Sequence, residues 1–161
     1  MSALRIRIHK LNDAQHRLEI VRSDGRREEV VCETRSYLRH DLLHYAVESS
    51  AALESGFWGL LASGTTLARM NDRTAPPPVA GEQGEEIAAI EQIVGALHRS
   101  EGPEAPELVA GLRRFAESLG GSLPRWVTAE FVVRVREAMR SLEGRWRATR
   151  YGDVMEISWP A

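Results

Sequence analysis

Apolar and polar residues alternate at the start of the chain, which indicates β-strands. Over residues 4–8, Leu and Ile alternate with Arg, the period-2 pattern of a strand with one buried face. A second short strand is expected over His16–Arg22 and a third over Arg26–Thr34. Between them, Ser23–Gly25 ends in the glycine that tight hairpin turns favour. The pattern therefore predicts three antiparallel strands in the first third of the sequence.

Helical spacing begins near residue 36, where apolar residues start to recur every three or four positions. A first helix is expected over about 37–54, and the Ser55–Gly56 pair should break it. A second helix is expected over Phe57–Arg69. Gly59 and Gly64 each cost about 1 kcal/mol in a helix relative to alanine. We therefore expect tight packing or irregular backbone at these two glycines.

The same spacing predicts further helices in the second half of the chain. They are expected over Glu85–Arg99, from Pro106 to just before Gly120, and from a capping residue at Thr128 to Leu142. Residues 71–84 contain three consecutive prolines, which a helix does not accommodate. This stretch is predicted to be an exposed loop.

The last residues return to a strand pattern. Trp146–Tyr151 and Val154–Trp159 flank Gly152–Asp153, a two-residue turn typical of a β-hairpin. The sequence thus predicts a single α+β domain over residues 1–161. It comprises about three antiparallel N-terminal strands, a helical middle of four to five helices and a C-terminal β-hairpin.

Composition excludes few functions but ranks them. The formal net charge of −2 argues against a dedicated nucleic-acid binder, although nine arginines between Leu112 and Arg150 leave a local basic surface open. The N-terminus has no apolar stretch of the kind found in signal peptides, and no run is long enough to cross a bilayer. We therefore expect a cytoplasmic protein without a membrane partner.

Lysine and cysteine each occur only once, and each of these two counts suggests a hypothesis. Lys10 is the only lysine beside 20 arginines, which suggests GC-rich codons and a bacterial origin. Cys32 is the only cysteine, so no intramolecular disulfide can form. In its strand-like surroundings Cys32 is best interpreted as a small buried apolar residue.

A polar stripe on the first predicted helix is the main candidate for chemistry. At about 100° per residue, four polar residues fall within an arc of about 100°, opposite the apolar face; they are His40, Asp41, His44 and Glu48. One interpretation is a solvated helix face, on which each i,i+3 or i,i+4 pair contributes about 0.2–0.5 kcal/mol. The other is a metal or acid–base site.

The metal hypothesis follows from the spacing. Imidazoles four residues apart on a helix can reach one divalent ion, so His40, His44 and Glu48 are the predicted ligands of Zn or Fe. His40 and Glu48 are about 12 Å apart along the helix axis, which makes a further ligand from another element necessary. The candidates for that ligand are Glu91, His98 and Glu54. A neighbouring carboxylate can also hold the second N–H of a histidine.

A metal-free site is the second chemical hypothesis. In that version His44 is a general base and Asp41 orients it. The run His40-Asp41-x-x-His44 with a later glutamate resembles the HDxxH…E pattern of a ubiquinone-biosynthesis metalloprotein family. The resemblance is confined to this helix and implies metal binding by the two histidines.

A protein without chemistry of its own is the alternative. Strands at both ends would expose edges that pair with another chain, so the alternative is a protein–protein interaction module, in its simplest form a homodimer. Metal analysis and a sizing column would distinguish the two functions. The sequence does not specify the substrate or the reaction, nor does it establish that the protein is an enzyme.

Overall fold

The computed structural model describes residues 3–71, 74, 82–99 and 102–161. This part of the chain forms four strands and six helices: β1 (Leu4–Lys10), β2 (Gln15–Arg22), β3 (Arg27–Glu33), α1 (Thr34–Ala51), α2 (Phe57–Ala62), α3 (Leu67–Asn71), α4 (Glu82–Arg99), α5 (Ala105–Ser118), α6 (Ala129–Ala148) and β4 (Val154–Trp159). The α+β class and the three N-terminal strands are confirmed.

The four strands form one antiparallel sheet in the order β3-β2-β1-β4. In the central strand β1, Leu4 lies opposite Arg22 of β2 on one side and Trp159 of β4 on the other. Alternate residues of β1, β2 and β4 point into the core, as the period-2 pattern requires. The first and last strands in the sequence are therefore neighbours in one sheet, whose edges are β3 and β4.

The predicted C-terminal hairpin is wrong. Trp146–Ala148 is the last turn of α6, and only Val154–Trp159 is a strand, which pairs with β1. The ammonium of Lys10 lies at the end of this helix and donates to the backbone carbonyls of Trp146 and Thr149 at 3.0 Å each. Thr149 is the C-cap residue of α6, and its own N–H donates to the carbonyls of Arg145 and Trp146.

Lys10 should therefore contribute measurably to stability. Its ammonium also lies 4.8 Å from the centroid of the Trp146 ring. Replacing Lys10 by methionine is expected to lower the free energy of unfolding by about 2 kcal/mol, since two charged hydrogen bonds are lost. Urea titration measures this. Arg5→Met is the control, because Arg5 forms an exposed ion pair worth at most about 1 kcal/mol. Equal losses in the two variants would contradict this role.

The predicted second helix is divided into α2 and α3. Gly64 has a φ of +114° and ends α2, a backbone conformation that glycine adopts without strain. A Cβ on Gly59 would lie 2.1 Å from the carbonyl oxygen of Glu54. Both expectations for these glycines, tight packing and irregular backbone, are confirmed.

Helix boundaries elsewhere are close to those predicted. Thr128 caps α6, its hydroxyl accepting the Phe131 N–H at 3.1 Å. Helix α4 begins at Glu82, so the end of the predicted loop over 71–84 is helical, and Asn71 ends α3. Apart from residue 74, the rest of that loop lies outside the described residues. No helix in the described ranges is long and apolar enough to cross a membrane.

Helix α1 lies at the centre of the helical layer. It packs on α4 and α6, on the short α2, and on strands β2 and β3. Three of its apolar residues, Leu42, Ala46 and Val47, are at most 1% exposed. With neighbours on several sides, α1 has little surface left for a solvated polar stripe.

Candidate metal centre

The polar stripe of α1 is largely enclosed by other helices. His44 is 2% exposed and Glu48 is 0% exposed, whereas His40 and Asp41 are partly exposed. A solvated helix face therefore does not describe His44 and Glu48. Because buried polar groups need partners, the contacts of these two side chains determine what the stripe can do.

The carboxylate of Glu48 lies against the N-terminus of α2. Its Oε2 accepts the N–H of Phe57 at 2.9 Å, and its Oε1 accepts the N–H groups of Trp58 at 2.9 Å and Gly59 at 3.2 Å. These are amides that a helix start leaves unpaired. A negative charge there is also favoured by the helix dipole. Glu48 thus provides α2 with the cap that its own N-cap residue, Gly56, lacks.

Gly56 leaves the space that this contact needs. A Cβ at this position would lie 2.2 Å from the Glu48 carboxyl carbon, a distance that real atoms do not adopt. Glycine is therefore required at this turn by the approach of the Glu48 side chain, since the φ of −80° at Gly56 is open to any residue.

His44 bridges two carboxylates. Its Nδ1 lies 3.0 Å from Glu48 Oε2, and its Nε2 lies 3.1 Å from Glu91 Oε1 on α4. Burial alone would lower the pKa of His44, but the hydrogen bonds with Glu48 and Glu91 outweigh it and raise the pKa to about 9. Without a metal, the ring is therefore protonated at neutral pH. The hydrogen bond from His44 in turn lowers the pKa of Glu91.

His40 stands beside His44, and the nitrogens of the two rings face the same kinds of partner. The two ring centroids are 4.7 Å apart. Nδ1 of His40 lies 3.7 Å from Asp41 Oδ1, and its Nε2 lies 3.9 Å from Glu91 Oε2. In both histidines Nδ1 is near a carboxylate from α1 while Nε2 is near Glu91. Two Nε2 atoms and one carboxylate therefore converge on the same point.

His40, His44 and Glu91 each offer a ligand atom within 4.8 Å of the others. Nitrogen and oxygen ligands bind zinc at about 2.0–2.2 Å, so movements of about 1 Å would bring the three atoms around one ion. No other such group of three or more was found in the described part of the chain. His98 and Glu54, the other candidates for a ligand outside the stripe, are exposed and lie outside this group.

The three side chains line one wall of a cleft of about 500 Å³. Its floor includes the apolar residues Leu18, Val30 and Phe57, and its rim carries Val31 and Tyr37, which are 53% and 41% exposed. Among the described residues that line the cleft there is no lysine or arginine. The ionisable side chains of the described lining are those of Glu33, Asp41 and Glu91, of His40 and His44, and of Cys32 and Tyr37.

The structure distributes the predicted site residues between two roles. His40 and His44 present Nε2 towards Glu91, one of the candidates for a ligand from another element. Glu48 and Asp41 lie on the Nδ1 sides of His44 and His40. Sequence reasoning missed the backbone amides of α2 around Glu48. Gly56 and Gly59, close in sequence to this buried acid, are the only sequence signal of that contact.

Comparison of the chain with protein-family models, curated proteins and solved structures gives no match. Its function is therefore inferred from the side chains of the site.

Proposed function

We propose that this protein binds a divalent metal ion through His40, His44 and Glu91. The observation that carries the proposal is the convergence of two imidazole nitrogens and one carboxylate, within 4.8 Å of one another, on the wall of a cleft. Two imidazoles and a carboxylate suit Zn or Fe. The ligands come from two packed helices, α1 and α4, which provide a rigid base for such a site.

In this proposal Glu91 replaces Glu48 as the carboxylate ligand. Glu48 already accepts four hydrogen bonds and is fully buried, whereas Glu91 is exposed and faces the cleft. Metal binding must displace the proton between His44 Nε2 and Glu91, because imidazole binds metals through an unprotonated nitrogen. Asp41 remains beside Nδ1 of His40 at 3.7 Å, too far for a hydrogen bond.

Three protein ligands would leave a coordination position for water or a small molecule. A metal at this point would lie on the cleft wall, so the free position is open to a ligand that enters the cleft. There a metal would activate water or polarise an oxygen of the ligand. The apolar floor of the cleft favours a ligand with an apolar body.

Metal titration tests the proposal. Metal-free wild-type protein is expected to bind one equivalent of Zn²⁺ in a calorimetric titration. His40→Ala and Glu91→Gln should each weaken binding by about 100-fold, because even outer-shell changes cost 10–100-fold. Both positions are partly exposed or exposed, so these variants should fold. His98→Ala is the matched control, since it removes an exposed histidine of α4 that lies outside the site. Equal affinities in all four proteins would exclude the site.

The metal-free acid–base version has weaker support. His44 is hydrogen-bonded to Glu48 and Glu91, while Asp41 lies next to His40. A general base works best with a pKa near the working pH, and the pKa of His44 is raised to about 9. The ring would therefore be better suited to donate a proton than to accept one.

The interaction-module alternative stays a prediction, as do a homodimer, a cytoplasmic location and a bacterial origin. The exposed strand edges on which it relied are β3 and β4 of a single sheet. A sizing column measures the oligomeric state independently of metal content. Nucleic-acid binding through the arginines of α6 is disfavoured by the net charge of −2.

A further inference from the structure

Glu48 is the most completely enclosed acidic side chain of the site, and its surroundings fix what each oxygen can do. Both oxygens accept hydrogen bonds, two from α2 amides on Oε1, and one amide plus His44 Nδ1 on Oε2. An amide N–H can only donate. The three amides of α2 therefore hold the carboxylate in one orientation, with the remaining acceptor position directed at His44.

That orientation determines which nitrogen of His44 carries a proton. A carboxylate is an acceptor only, so in the protonated ring the 3.0 Å contact with Glu48 places an N–H at Nδ1, and the 3.1 Å contact with Glu91 places a second N–H at Nε2. Glu48 is fully buried and held by three amides, whereas the Glu91 side chain is 54% exposed and can turn towards water. When the ring loses one proton, the N–H at Nδ1 is therefore the one that is retained. In a neutral imidazole the other nitrogen, Nε2, then has a free lone pair. Nε2 is the atom that faces Glu91 and the second histidine.

We propose that Glu48 is a positioning residue that holds His44 in the Nδ1–H tautomer and so reserves Nε2 for the metal. The inference rests on the proposed function for its consequence, but the tautomer itself is a property of the metal-free protein. The start of α2 would act on the site through Glu48, although none of its amides contacts an Nε2 atom.

The neighbouring histidine provides an internal contrast. Nδ1 of His40 is 3.7 Å from Asp41, beyond hydrogen-bond distance, and the His40 side chain is 43% exposed. His40 can therefore change its ring orientation at little cost, whereas His44 is held from both sides. The site would combine one fixed ligand with one adjustable ligand.

Glu48→Gln tests the inference. The amide keeps the size of the side chain, and its oxygen can still accept from Trp58 and Gly59. Its NH₂ group would then face the Phe57 N–H, which loses its acceptor, and His44 Nδ1, which must become an acceptor, so the proton moves to Nε2. Long-range ¹H–¹⁵N spectra at a pH above about 10, where the ring is neutral, should show Nδ1–H in the wild type and Nε2–H in the variant. Zn²⁺ affinity should fall by about 10–100-fold.

Glu28→Gln is the matched control. Glu28 also accepts a helix-start amide, that of Leu67 at 2.9 Å, and is paired with Arg22, but it contacts no histidine of the site. The Glu28→Gln substitution should lower the free energy of unfolding, while the His44 tautomer and the Zn²⁺ affinity stay as in the wild type. A merely structural role for Glu48 predicts the same outcome for both variants.

Each result decides between specific claims. Nε2–H in the wild type would overturn the inference, and this spectrum needs no variant that folds. A tautomer change in Glu48→Gln with unchanged Zn²⁺ affinity would overturn it as well. If the tautomer depends on Glu48 but the wild type binds no metal, the proposed function fails, while the control of the tautomer by Glu48 stands.

Discussion

Gly56→Ala is expected to lower the free energy of unfolding by about 4 kcal/mol and to remove high-affinity metal binding. The new Cβ would lie 2.2 Å from the Glu48 carboxyl carbon, so the side chain or the start of α2 must move. The displaced carboxylate would lose partners in a place with no access to water, and removing the partners of a buried charge costs about 3–5 kcal/mol. Urea titration and Zn²⁺ calorimetry measure the two effects.

Two variants separate this mechanism from a general effect of alanine. Gly144→Ala in α6 meets no atom closer than 4.0 Å, so it should stabilise the helix by up to about 1 kcal/mol. In the double variant Gly56→Ala/Glu48→Ala the clash is absent. The double variant should lose less free energy of unfolding than the two single variants together, by at least about 1 kcal/mol, because the effects of substitutions at contacting residues are not additive. Additive losses would show that Gly56 is needed for another reason.

Stability of the metal-free protein is expected to fall by about 3 kcal/mol between about pH 6.5 and about 9. His44 has an ordinary pKa of 6.5 when unfolded and about 9 when folded, so in this window the folded state binds more protons. The contribution of His44 to the free energy of unfolding is fully present below pH 6.5 and is lost as the pH rises through 9. Denaturant titrations at several pH values, with a chelator present, measure the slope.

Other groups with shifted pKa values act outside that window. Burial lowers the pKa of His16, and the hydrogen bond from His44 lowers that of Glu91; both contributions are lost as the pH falls. Burial raises the pKa of Cys32 above 9.0, which affects only more alkaline solutions. Glu91→Gln removes one of the two carboxylates on His44 and should flatten the slope. A wild-type profile without any slope from pH 6.5 to 9 would contradict the bridged arrangement.

Local patterns were enough to predict most secondary structure. Alternation over residues 4–8 and helical spacing after residue 36 each correspond to observed elements, because one buried face imposes its period on the sequence. The C-terminal hairpin was mispredicted since Trp146 suits a strand or a helix equally well. The end of α6 contacts Lys10, a residue at the other end of the sequence that local patterns do not reveal.

The site was predictable only in part. Helical geometry places His40 and His44 together, and Glu91 was one of three candidates for a ligand from another element. Of the surroundings of Glu48, the sequence shows only Gly56 and Gly59, because every residue type except proline has a backbone amide N–H. Which helix covers a polar stripe depends on tertiary packing, and here that packing places Glu48 against the amides of α2.

Strand β1 pairs with β2, which follows it directly in the sequence, and with β4, which ends at residue 159. Pairing of residues so distant in sequence slows folding, since a long segment must be ordered before the contact forms. A circular permutant that joins residue 159 to residue 4 through a short linker would make β4 and β1 a hairpin. Such a permutant should collapse to its native sheet faster than the natural order allows.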